Sequence, residues 1–143
     1  MDDVHGADFT GKNPSGDPIE YGADSHGTHC AGILAAKTNN SVGIASVAGV
    51  AQGKVKLMAI KVFGKGDDRY AAVSKTCEGL EYAIAMGVRL SSNSWGSSSP
   101  AYLWLTNLLK NNPNHLFITS AGNEGQQIKP QKISKKAFFQ PKF

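Results

Sequence analysis

Residues 55–63 read Val55-Lys56-Leu57-Met58-Ala59-Ile60-Lys61-Val62-Phe63. The run is mostly apolar and rich in branched side chains, and its length suits a strand better than a helix, so it predicts a buried strand. Residues 64–68 have the composition of a turn. A helix is predicted over 70–86, because Val73, Cys77, Leu80 and Ile84 recur at steps of four, three and four and share one face. Gly87 is placed to end it. Residues 88–93 predict a short strand. Pro100 suits the first turn of another helix running to about residue 110. Residues 116–121 (LFITSA) predict a further strand. Strand, helix, strand, helix, strand in this order implies right-handed crossovers: an α/β fold with a parallel sheet and helices on its faces.

Outward from that block the signals are local. Residues 25–37 suit a helix, with Ser25 as its cap and Ala31, Ile33, Leu34, Ala35 and Ala36 following. Residues 38–43 have loop composition. Residues 1–25 also read as loop, with Pro14, Gly16 and Pro18 interrupting regular structure. Residues 126–143 contain Lys129, Lys132, Lys135, Lys136 and Lys142, no acid and no clear period. They are expected to be disordered or foreign to the preceding domain. Without them, ten basic residues face eleven acidic ones, so the formal charge of +4 belongs to the tail. That pattern is no nucleic-acid footprint, and no nucleic-acid partner is expected. No apolar run reaches the length of a membrane span. The acidic start, Met1-Asp2-Asp3-Val4-His5, lacks the apolar core of a signal peptide. Cys30 and Cys77 allow at most one bridge and read as buried thiols.

Three segments carry candidate chemistry. The first is Asp24-Ser25-His26-Gly27-Thr28-His29-Cys30-Ala31-Gly32-Ile33. A histidine at a helix start can exchange protons near neutral pH. Gly27 and Gly32 would let neighbouring elements come close. The pair His26 and His29 also admits a zinc reading, though no third His or Cys ligand is obvious, and a plain structural histidine remains open. The second is Ser120-Ala121-Gly122-Asn123-Glu124-Gly125, which puts an asparagine directly after an apolar strand. Its amide could donate to a developing oxyanion or simply make a turn. The third is Leu90-Ser91-Ser92-Asn93-Ser94-Trp95-Gly96, a strand that ends in small residues with its backbone edge open. It could accept an extended peptide by strand addition or be an ordinary strand-to-loop transition. In parallel sheets function collects beyond the carboxyl ends of strands, where the second and third segments are expected.

In this order and spacing the three segments resemble the subtilases. HGTHCAGI looks like the catalytic-histidine box, SNSWGS like the substrate-binding strand and SAGNEG like the oxyanion-asparagine box. NNSVGI, GVAQ, LMAIKVF and GLEYAIAMGV add to the likeness, which covers roughly residues 2–125. Cys30 after HGTH is similar to the proteinase K branch. The resemblance implies a three-layer subtilisin-like α/β fold, present only in part: a partial peptidase domain over 1–125 and a basic tail over 126–143.

By that likeness His26 would be the general base and later the general acid, His29 a packed structural residue, and Asn123 the oxyanion donor. Ser94, Trp95 and Gly96 would line the peptide cleft, and Ala121 and Gly122 the facing wall of the specificity pocket. The loop from Asn39 to Ile44 resembles a calcium loop, in which a structural calcium would take the Asn40 side-chain oxygen and the Val42 and Ile44 carbonyls, with Asp8 adding a carboxylate. An insertion around Ser46-Val47-Ala48 departs from compact relatives. No organic cofactor is implied. The implied function is serine-type endopeptidase action on polypeptide substrates by a monomer that is secreted or held in the endomembrane lumen. The alternative is a non-catalytic peptide-binding protein that keeps the cleft.

The family's D-[ST]-G aspartate box and G-T-S-M-A serine box do not occur in the 143 residues. Asp2 and Asp3 follow the position of the missing aspartate and are not given its role. The expectation is a fragment of a longer protease, inactive alone.

Overall fold

The computed structural model describes residues 6–12, 16–18, 25–51, 53–64, 69–96, 102–123 and 137–140. The chain divides into two compact units, Met1–Asp67 and Asp68–Phe143.

The first unit contains β1 (Gly6–Asp8), α1 (His26–Ala35), a 3-10 turn (Gly49–Ala51) and β2 (Ala59–Lys61). β1 and β2 pair in parallel, with Gly6 opposite Ala59 and Asp8 opposite Lys61. Gly6 has φ +129°, and a Cβ there would overlap the Ala59 carbonyl, so only glycine allows this approach. β1 lies in the stretch read as loop. A three-residue strand is too short to show a period of two.

β2 covers only the centre of the nine-residue run read as one buried strand. Val62 is buried, but Val55, Leu57 and Phe63 are exposed. Ladder bonds to three-residue β1 reach no further than 59–61 among the described residues, and without a ladder the flanks stay irregular. α1 matches the predicted helix closely, with Ser25 at its cap position. The cap works through the main chain: the Ser25 carbonyl accepts the His29 N–H at 2.8 Å, and no side-chain cap bond forms. At the other end the insertion at 46–48 satisfies carbonyls that a helix leaves open. Val47 N–H donates to the Ile33 carbonyl, Ala48 N–H to that of Leu34, and the Ser46 hydroxyl to that of Ala36.

The second unit contains α2 (Arg69–Ala85), β3 (Leu90–Asn93), α3 (Tyr102–Asn111), β4 (Leu116–Ser120) and β5 (Ala137–Gln140). Its strands pair in parallel in the order β3-β4-β5. Cys77 and Leu80 of the predicted α2 face are buried, while Val73 and Ile84 are half-buried. α2 ends as expected at Gly87, φ +82°. Gly87 N–H bonds the Ile84 carbonyl and Val88 N–H that of Ala83, the paired bonds of a Schellman motif. Pro100, expected at the start of α3, lies outside the described residues. The Asn112 side chain caps the far end of α3 on the Leu108 carbonyl at 2.8 Å. The core is Leu80 of α2, Leu105, Leu108 and Leu109 of α3, and Phe117 of β4, with Ile84 and Trp95 packed against it.

β5 falls in the segment read as a structureless tail. Residues 137–140 instead continue the parallel sheet, Phe117 opposite Ala137 and Ser120 opposite Gln140. Four of the five lysines that suggested disorder precede this strand and Lys142 follows it, while its own residues, Ala-Phe-Phe-Gln, carry no charge. Both cysteines are free: Cys77 is buried as expected, and Cys30 is half-buried. Among the described residues no helix is long and apolar enough to cross a membrane.

Candidate active site

The candidate residues fall in two groups, one in each unit. In the first unit His26 is the first residue of α1 and is exposed to solvent. One turn on, the Cys30 sulfur lies 3.7 Å from His26 Nε2. An imidazole in solvent at a helix N-terminus is accessible for proton exchange. His29, expected to be packed, is exposed, because α1 buries none of its residues. A Cβ on Gly32 would meet nothing within 4 Å, so close approach is not its role here. Among the described residues no three of His, Cys, Asp and Glu gather as a metal cluster.

Asp8 ends β1. Its Oδ1 accepts the Thr10 N–H at 2.6 Å, while its Oδ2 is buried with no hydrogen-bond partner. A buried carboxylate oxygen left over in this way suits a hard cation. The loop at 39–44 has left-handed backbone at Asn39 (φ 58°), Ser41 (φ 57°) and Gly43 (φ 68°). The Asn40 side-chain oxygen accepts the Val42 N–H at 3.2 Å and keeps a second lone pair. Asp8 and Asn40 therefore fit oxygen ligation. Val42 and Ile44 offer only their carbonyls, their side chains being hydrocarbon.

In the second unit β3 and β4 run side by side, Asn93 opposite Thr119, and the segments that leave their carboxyl ends are neighbours. Ser94, Trp95 and Gly96 leave β3, and Ala121, Gly122 and Asn123 leave β4. Gly122 has φ +80°, a turn that glycine makes without strain, and Asn123 follows it exposed. The Trp95 carbonyl accepts the Ser120 hydroxyl at 3.2 Å and the Thr119 hydroxyl at 3.4 Å. Its indole is half-buried and meets Phe117 edge-on, centroids 5.8 Å apart at 73°.

Deeper in the strands lies a network that the sequence did not announce. Buried Asn93 donates to the Ile118 carbonyl at 3.0 Å and to the Ser91 hydroxyl at 2.9 Å. That hydroxyl lies 2.9 Å from Nε2 of buried His115, whose Nδ1 is 2.9 Å from the Val88 carbonyl. A carbonyl only accepts, so Nδ1 carries the proton, and in the neutral imidazole Nε2 accepts from Ser91. Asn93 and Ser91 are two residues apart on β3, but Ile118, His115 and Val88 join them only through the pairing of β3 with β4, so no motif could reveal the network.

A family model described as the subtilase family matches residues 2–138. Subtilisin BL from Lederbergia lenta is 41% identical over 86 residues, covering 60% of this chain and 29% of its own length. Thermitase from Thermoactinomyces vulgaris is 33% identical over 131 residues, 85% of this chain and 40% of its own length. A thermostable alkaline protease from Halalkalibacterium halodurans is 34% identical over 114 residues, 79% of this chain and 30% of its own length. The chain thus spans two fifths or less of the length of these relatives.

Proposed function

This chain belongs to the subtilase family, and from that membership we propose that it carries part of the machinery of a serine endopeptidase acting on polypeptides. The observation that carries the reading is the pairing of β3 with β4, which sets the Ser94-Trp95-Gly96 segment beside the Ala121-Gly122-Asn123 segment at the carboxyl ends of parallel strands. One segment forms the cleft edge. Ala121 and Gly122 form the facing wall, and the Asn123 amide donates to the oxyanion. His26 takes the nucleophile's proton and returns it to the leaving amine. The serine that attacks and the aspartate that orients His26 have no matching box among the 143 residues. Alone, therefore, the chain forms no acyl-enzyme.

The same reading assigns a structural calcium to Asp8, the Asn40 side chain and the Val42 and Ile44 carbonyls. Its support is the unpartnered buried Asp8 Oδ2. The bound ion would supply charge neutralisation and hold the loop, with no part in bond cleavage. A secreted or endomembrane-lumen location for the whole protein rests on the family alone.

The missing nucleophile favours one other reading, a peptide-binding protein that keeps the cleft. Casein hydrolysis by the purified chain separates the claims. No hydrolysis above blank is expected. Hydrolysis that disappears in His26→Ala would show that the chain supplies its own nucleophile and overturn the assignment.

A further inference from the structure

β4 does more than neighbour the cleft edge. Its ladder with β3 ends at Asn93 and Thr119, yet the chain beyond β3 is still fastened to it. The bonds are side-chain ones: the hydroxyls of Ser120 and Thr119 both reach the carbonyl of Trp95, at 3.2 and 3.4 Å. A carbonyl has two lone pairs, and two hydroxyl donors occupy both. On its other side the same residue is held by its indole, edge-on to Phe117 of the core. Trp95 is thus held by β4 residues at both main chain and ring.

We propose that Thr119 and Ser120 are positioning residues, a hydroxyl clip that turns the Trp95 carbonyl onto β4 and thereby presents the Ser94 and Gly96 peptide groups to an extended peptide. In an extended chain successive peptide groups point to opposite edges, as the ladder pattern of sheets requires. With the Trp95 carbonyl committed to β4, those of its neighbours face the other edge. β3 has β4 on one side and no strand on the other among the described residues. The open edge is where a peptide adds as a strand. Saturating the Trp95 carbonyl also removes an acceptor that would compete for the incoming peptide's N–H groups.

The functional half of this inference rests on the peptide-cleft reading; the clip itself does not. The test uses the whole chain, labelled with carbon-13 and nitrogen-15, and the capped tetrapeptide acetyl-Ala-Ala-Ala-Phe amide as probe. Two quantities are read by NMR: the Trp95 carbonyl resonance, which moves upfield when hydrogen bonds to it are lost, and the peptide's dissociation constant from the Ser94 and Gly96 amides. In Thr119→Val/Ser120→Ala the carbonyl resonance is expected to move upfield and the peptide to bind roughly three- to tenfold more weakly, the scale of a hydrogen bond or two. Ser120→Thr keeps a hydroxyl and is expected to keep both readouts. An unmoved carbonyl resonance refutes the clip. A moved resonance with unchanged affinity refutes the positioning role while leaving the cleft intact. No peptide binding by the parent chain refutes the cleft reading and the positioning role with it, whatever the carbonyl shows. Should the double variant not fold, Ser120→Ala alone removes the shorter bond and is judged by the same two readouts.

Discussion

Gly6 and Cys77 show how much single atoms decide in this chain. A methyl group on Gly6 would overlap the Ala59 carbonyl, and its φ of +129° is hostile to any L side chain. Gly6→Ala is expected to cost about 1–3 kcal/mol of the first unit's stability, by denaturant titration. Gly32→Ala is the control. Space is open there, and alanine in a helix interior should gain up to about 1 kcal/mol. Burial pushes the Cys77 thiol up to about 11, with Glu81 and then Glu78 adding to it. The folded state therefore favours the protonated thiol. Its contribution is complete below the thiol's ordinary value of 9.0 and is lost as pH rises toward about 11. Stability measured from pH 8 to 11 should decline more steeply for the parent than for Cys77→Ala. At this scale the sequence was legible where placement is local: His26 begins a helix and Asn123 follows a strand, as their neighbours in sequence predicted. His115 and Ser91 were invisible, because only strand pairing unites them.

The elements divide along the same line. α2 was readable because its apolar residues repeat and Gly87 closes it with a Schellman motif. β1 and β5 were not, since strands of three and four residues in polar or lysine-rich surroundings leave no periodic trace. β2 was overread: composition marks a run as apolar, but only ladder partners make it a strand. The family resemblance set Trp95 in the lining of the peptide cleft. The structure packs its indole against Phe117 while leaving it half-buried, so part of the ring belongs to the core. Trp95→Leu is expected to lower stability by about 1–2 kcal/mol. A double-mutant cycle with Phe117→Leu should return a coupling of about 0.5–1.5 kcal/mol, the range for edge-on aromatic pairs. A coupling near zero would mean that the rings do not meet.

Across the whole molecule burial is uneven. Among the described residues Val62 is the buried hydrophobic one of the first unit, while the second buries Cys77, Leu80, Ala83, Leu105, Leu108, Leu109 and Phe117. Ile33, Val42, Ile44, Val47, Val55, Leu57 and Phe63, all in the first unit, are exposed. Local stability follows buried apolar contact. Amide exchange in α2, α3 and β4 should be markedly slower than in α1, and equal protection would contradict this division. The central claim is that His26 and Asn123 hold the general-base and oxyanion roles. Grafting tests it most directly: a segment of this chain that includes His26 and Asn123 replaces its counterpart in the Halalkalibacterium halodurans protease, and casein turnover is measured for the hybrid and two variants. The hybrid should be active, with His26→Ala lower by several orders of magnitude and Asn123→Ala by about 10²–10³, the cost known for the same loss in subtilisin itself. A His26→Ala hybrid within tenfold of the unmutated one would contradict the account.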